Sequence, residues 1–164
     1  MYNTFNDLTL GAFQYEDGSF YEGEWNKKGQ KHGYGVYKCP DGADYFGRFE
    51  NGLPSGLGTL CFADGALYSG EFMQGWFHGH GVFQLSNGAR FEGQFRGGRI
   101  WGLGLTTFAD GSHGEPRHEG VHKDWRFVKP VECSLPVNTA RNNALSLGCK
   151  TKGEPRIYTF NEAE

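Results

Sequence analysis

One short pattern returns four times in this chain, starting at Tyr21, Tyr45, Tyr68 and Phe91, with steps of 24, 23 and 23 residues. Each copy reads aromatic, any residue, glycine, any residue, aromatic, then a turn glycine, a Gly-x-Gly pair, and Asp-Gly or Asn-Gly. A fixed period of this length makes one supersecondary unit per copy, and such units bury their apolar surface only by stacking on each other. The function of the chain therefore belongs to a surface built by repetition.

Within one copy the local structure is readable. Tyr68, Gly70 and Phe72 alternate with Ser69 and Glu71, the period of a strand. Gly75 supplies a turn, His78 to Leu85 forms a returning strand, and Asn87-Gly88 closes toward the next copy. Each repeat is thus a hairpin followed by a tight turn. Gly23, Gly47, Gly70 and Gly93 each sit between two aromatics. A mid-strand glycine costs roughly 0.5–1 kcal/mol relative to alanine, so it needs a reason. The reason predicted here is a ring from the neighbouring strand lying across the bare backbone. The pairs Gly33/Gly35, Gly56/Gly58, Gly79/Gly81 and Gly102/Gly104 are expected to do the same.

Stacking aligns the copies into columns. One holds Tyr21, Tyr45, Tyr68 and Phe91; another holds Trp25, Phe49, Phe72 and Phe95. Returning strands add Phe13, Tyr37, Leu60 and Phe83, beside a row of Tyr15, Cys39, Phe62, Leu85 and Phe108. The fold expected is all-β: an elongated, twisted, single-layer antiparallel sheet of roughly ten strands, on the order of 45 Å long.

The ends differ from the middle. Residues 10–20 match the second half of a repeat, and a degenerate copy starts at His118 after an insertion around Gly114-Glu-Pro-Arg. The array accordingly spans 10–131. Residues 132–149 read as a short capping helix, with Pro136 in the first turn, Gly148 as the stop, and Val137, Ala140, Ala144 and Leu147 as its apolar stripe. That helix is expected to cover the last strand. Residues 1–9 and 150–164 read as loose tails.

Composition narrows the function. A net charge of −3 with interspersed signs and no basic tract argues against nucleic acid as a partner, and makes any membrane association weak or indirect. There is no long apolar run and no secretory leader, so the expected home is the cytoplasm, with Cys39, Cys61, Cys133 and Cys149 reduced. The histidines (His78 and His80 on one strand, and His113, His118 and His122 around the insertion) lack the four convergent ligands of a zinc site. No helix follows the Gly-x-Gly pairs, which excludes a dinucleotide fingerprint. Glu22, Glu24, Glu71 and Glu92 alternate away from the aromatic columns and are expected to be solvated. Neither catalytic residue nor metal nor cofactor is expected.

The unit Tyr21-Glu-Gly-Glu-Trp, the following His32-Gly-Tyr-Gly and the closing Asp41-Gly resemble the MORN repeat, over about residues 10–122. The stretch from Phe108 to Gly120, with its insertion, is similar to that of a small stand-alone branch of the family. That resemblance implies a non-catalytic cytoplasmic adaptor binding the tail of a class III unconventional myosin. Its setting would be actin-based projections such as stereocilia, filopodia and the photoreceptor rhabdomere. The family also implies an alternative, a phosphoinositide or membrane-surface tether. The chain is expected to act as a monomer.

The residues predicted to receive a partner come from the aromatic columns and the hairpin tips. They are Tyr45, Phe49, Tyr68, Phe72, Phe91 and Phe95, with the turn-adjacent Leu53, Trp76, Phe77, Ile100 and Trp101. The last five occupy places where the first repeat has Gln30, Lys31 and His32. Apolar groups there favour an interface, where aromatic anchors dominate the energy.

Overall fold

The computed structural model describes residues 8–148. Eleven strands form a single antiparallel sheet in which sequence order is spatial order. They are β1 (Thr9–Gln14), β2 (Phe20–Trp25), β3 (Lys31–Lys38), β4 (Asp44–Glu50), β5 (Leu53–Cys61) and β6 (Leu67–Met73). The sheet continues with β7 (Trp76–Gln84), β8 (Arg90–Arg96), β9 (Arg99–Thr107), β10 (Glu119–Lys123) and β11 (Arg126–Pro130), and a helix, α1 (Ser134–Ser146), follows. The tail predicted for 150–164 lies outside the described residues, as do residues 1–7; Thr9 already belongs to β1.

Gly11, Gly23, Gly35, Gly47, Gly58, Gly70, Gly81, Gly93, Gly104 and Gly120 face one another in register from β1 to β10. Across this bare row lie the rings. A Cβ on Gly81 would fall 2.5 Å from the Tyr68 hydroxyl, and Gly35, Gly58 and Gly104 meet Tyr21, Tyr45 and Phe91 in the same way. The other glycines divide the work differently from the expectation. Gly23, Gly47, Gly70 and Gly93 chiefly make room for the backbone of the glycine opposite. Gly33, Gly56, Gly79 and Gly102 carry no ring, and the side chains of Glu24, Arg48, Glu71 and Gln94 lie over them.

With the rings laid flat, a ladder forms. Edge-to-face contacts run Tyr21–Phe49 at 5.1 Å, Tyr45–Phe49 at 5.0 Å, Tyr45–Phe72 at 5.0 Å, Tyr68–Phe72 at 5.1 Å and Tyr68–Phe95 at 5.0 Å. Such pairs contribute about 0.5–1.5 kcal/mol each beyond the area they bury. Between the rungs the first strand of each hairpin slips register, at Gly23/Trp25, Gly47/Phe49, Gly70/Phe72 and Gly93/Phe95. The tyrosine hydroxyls satisfy carbonyls there: Tyr21, Tyr45 and Tyr68 donate to Glu24, Arg48 and Glu71 O, each at 2.8 Å. Burial pushes all three phenols well above their ordinary range.

The degenerate fifth copy keeps the ladder by putting imidazoles in it. His122 meets Phe91 at 4.9 Å, and His118 stacks on Phe127 at 4.5 Å. His122 is 3% exposed, with Nδ1 facing the Gly120 carbonyl at 3.1 Å and Nε2 facing the Thr106 hydroxyl at 3.2 Å.

On the opposite face α1 turns back over β6–β9 instead of covering the last strand. The reason is the surface available there. Val137 and Cys133 pack on Leu105, and the Cys133 thiol donates to Gly104 O at 3.2 Å. Arg141 grips Glu92 through two bonds of 2.9 and 3.0 Å. Glu92 is therefore 4% exposed, not a solvated charge, and Glu71 accepts from Asn143 Nδ2 and the His80 N–H, each at 3.0 Å. Gly148, in a left-handed conformation at φ 67°, ends the helix region where its sequence position indicated.

Three outcomes are expected. Gly81→Ala drives a methyl into the Tyr68 ring and lowers the stability measured by urea unfolding by about 1–3 kcal/mol, whereas Gly11→Ala, whose nearest neighbour is the edge of Trp25 at 3.3 Å, costs far less. Tyr68→Phe leaves the Glu71 carbonyl without its donor and costs about 1–3 kcal/mol by the same measurement. Burial holds His122 below the ordinary histidine value of 6.5, so the unfolded chain binds its proton first. Its contribution is complete above pH 6.5 and is lost as pH falls through the lower folded value; His122→Phe removes that part of a stability–pH profile taken from pH 7 to about 5.

Candidate partner-binding face

The eleven predicted contact residues separate into three places. Tyr45, Phe49, Tyr68, Phe72, Phe91, Phe95 and Ile100 are the ladder and its flank, with exposures of 0–5%. They form a floor that the rings seal for each other; a single-layer sheet hides them because the glycine row lets them lie down. Leu53, Trp76 and Trp101 are exposed by 49, 62 and 37%. Each precedes or follows a ladder-side residue in its strand (Pro54, Phe77 and Ile100), so by strand alternation they sit on the other face, near the hairpin tips. Trp76 lies beside Gly98, and the Lys123 ammonium sits 5.1 Å from the Trp101 ring. Phe77 alone combines the ladder side with partial exposure, stacked on Tyr68 at 4.0 Å.

The accessible apolar surface on the ladder side is a strip beside the floor. Phe13 meets Tyr15 at 4.8 Å and Tyr15 meets Tyr37 at 6.4 Å. Further along, Phe62 meets Phe77 and Phe83 at 6.3 and 6.1 Å, and Phe83 meets Trp125 at 5.5 Å. The columns of the sequence contain most of these rings, but not as contact residues. Trp125 was absent from them.

Trp125 occupies the second position of the β10–β11 turn, where φ is 69°. Gly52, Gly75 and Gly98 hold the corresponding place in earlier turns. A left-handed conformation costs an L-residue roughly 1–2 kcal/mol, so a tryptophan there signals a purpose beyond the turn. Asp124 beside it is pinned by Arg99 at 2.6 Å, which fixes the tip. The break in glycine at this turn position was the signal available in the sequence.

At the opposite end of the strip Lys31 takes the place of Pro54, Phe77 and Ile100. Its ammonium lies 4.1 Å from the Tyr37 ring centre, 4.8 Å from Tyr15 and 5.6 Å from Tyr21. Burial lowers its pKa. The face is thus aromatic along its length, with a cation at one end and a tryptophan at the other. Among the described residues no three His, Cys, Asp or Glu side chains are grouped to hold a metal, and Cys39 and Cys133 are free thiols.

The MORN repeat model matches residues 21–43, 45–67, 68–90 and 91–113, in the phase of the ladder. Over 138 residues the chain is 54% identical to the MORN repeat-containing protein 4 homolog of Drosophila melanogaster, covering 84% of this chain and 70% of that one. It is also 42% identical over 60 residues to alsin of Rattus norvegicus and of Mus musculus, covering 34% of this chain but 4% of each alsin. Those two likenesses concern the repeat alone. MORN repeats make protein- or membrane-binding modules, and the family is generally non-catalytic. The chain belongs to the MORN-repeat family.

Proposed function

We propose that this protein is a non-catalytic adaptor whose ladder-side strip receives an extended apolar segment of a partner protein. The observation that carries the reading is Trp125: a strained, 48% exposed indole closing one end of a half-exposed row of rings. Such a row offers apolar anchors, and Lys31 at its other end offers a charge that favours one direction of the bound chain. The insertion between Phe108 and Gly120 resembles that of retinophilin, a small stand-alone MORN protein, which makes the tail of a class III unconventional myosin the proposed partner. The proposed setting is the cytoplasm of actin-based projections, with the chain acting as a monomer. The scatter of Lys27, Lys28, Arg90, Arg96 and Arg99 among acids speaks against anionic lipid as the main ligand.

Calorimetric titration with a class III myosin tail tests this reading. Saturable one-to-one binding is expected. Trp125→Gly is expected to weaken it about tenfold or more while leaving thermal stability equal or higher, because the turn strain is relieved. Trp76→Glu, on the other face, is expected to leave it unchanged. No binding by the unaltered protein overturns the myosin assignment; binding lost with Trp76→Glu but indifferent to Trp125→Gly overturns the face.

A further inference from the structure

On the face opposite the ladder, α1 is bordered on its hairpin-tip side by a second lane. α1 packs on Leu105 of β9 and bonds the His80 carbonyl of β7. Trp101 stands four residues before Leu105 on β9, and Trp76 stands four residues before His80 on β7. The two tryptophans therefore mark a line that runs beside α1 at a constant offset. Four strand residues span up to about 13 Å, enough for one more helix of about 10–12 Å across.

Both indoles are held in place. A Cβ on Gly98 would fall 2.8 Å from the Trp76 ring, so this indole lies over the turn of the next hairpin; the Lys123 ammonium sits 5.1 Å from the Trp101 ring. Rings that are fixed in advance and left in water make interface anchors, because burying them costs little side-chain entropy. Met73, in register with Trp76, and Leu53 at the start of β5 are exposed as well and extend the apolar row.

The charge around this row is positive, although the chain as a whole carries −3. Arg96 and Arg99 face each other in register, and Lys123 is in register with Trp101 on β9 and with Arg126 on β11. Arg99 is matched by Asp124 at 2.6 Å, and Arg96, Lys123 and Arg126 are exposed. The spacing selects a secondary structure for the ligand. From β9 to β7 is two strand steps, about 9.6 Å, and Leu53 on β5 is two further. Seven helical residues rise about 10.5 Å in nearly two full turns, so one face of a helix returns at that interval. One face of an extended strand returns about every 6.6 Å and does not match.

We propose that this lane is a docking site for an acidic amphipathic helix of a partner protein. Apolar residues seven apart seat on Trp101, Trp76 and Leu53, and flanking carboxylates meet Arg96, Lys123 and Arg126. The α1 helix of a second copy does not fit that description, since Ser134–Ser146 contains Arg141 and no acid. The lane lies on the face opposite the ladder-side strip, so it stands or falls independently of the strip and its partner.

The probe is a fluorescein-labelled, side-chain-stapled helix of about 18 residues, with three leucines seven apart set among glutamates, titrated into the full-length protein by fluorescence anisotropy. Saturable one-to-one binding is expected, and it weakens as salt is raised. Trp76→Ala and Trp101→Ala each weaken it about tenfold or more in a protein that keeps its thermal transition, whereas Trp125→Gly leaves it unchanged. Arg96→Glu/Arg126→Glu weakens it too, and a probe with lysines in place of the glutamates recovers affinity for that variant. Absence of binding overturns the proposal, as does binding indifferent to both tryptophan changes. Equal binding by a helix with its leucines out of phase, or by a polyproline peptide of the same charge, overturns it as well.

Discussion

The whole architecture rests on aromatic rings lying flat over a backbone stripped of side chains. Ten glycines in register clear a lane across the sheet, and Tyr21, Tyr45, Tyr68 and Phe91 lie down in it. A one-layer sheet ordinarily lacks a second layer to dehydrate its apolar face. Here the rings act as that layer, each covering the next strand and each touched edge-on by the ring of the following hairpin. The register slip after Gly23, Gly47 and Gly70 bends the strand and leaves a carbonyl that the phenol of the same copy satisfies. Glycine, ring and hydroxyl thus form one device, repeated without a disulfide among the described residues.

This device was legible in the sequence because its parts recur at one period. The hairpin of Tyr68 to Leu85, the two aromatic columns and the apolar stripe of the helix all follow from spacing. What could not be read depends on the register slips. Whether Trp76 or Phe77 faces the ladder is decided by how many residues the slip after Gly70 absorbs, and the pattern of residue types does not count them. Glu92 looked solvated because alternation places it away from the rings; its burial comes from Arg141, 49 residues later, and no local pattern connects the two. The helix was identified but not its destination, since an amphipathic stripe says that a helix packs and not on which strands. Trp125 is the instructive miss. It was hidden by treating the last hairpin as a worn copy, whereas the departure from glycine marks the place where the fold spends stability on a protruding ring.

The two faces consequently do different work. One is continuous, apolar and built by every copy in turn. The other is made specific by single polar contacts, Glu92 with Arg141 and Glu71 with Asn143, at positions where other copies carry Glu22, Glu24 or Arg48. The repeated face suits a ligand that is long and tolerant of register, and the individual face suits a fixed intramolecular strap.

That strap also sets how the molecule moves. α1 fastens β6 through β9 into one block that opens only as a unit, while β1 hangs from a single neighbour with every residue exposed. Opening free energy therefore falls along the array toward its first strand. Tyr15 and the Lys31 end lie outside that block, and Phe77 and Phe83 on β7 lie within it. A chain settling on this surface meets a prearranged grip over β6–β9 and orders the first strands as it lies down, so its first foothold and its first point of release lie several strands apart.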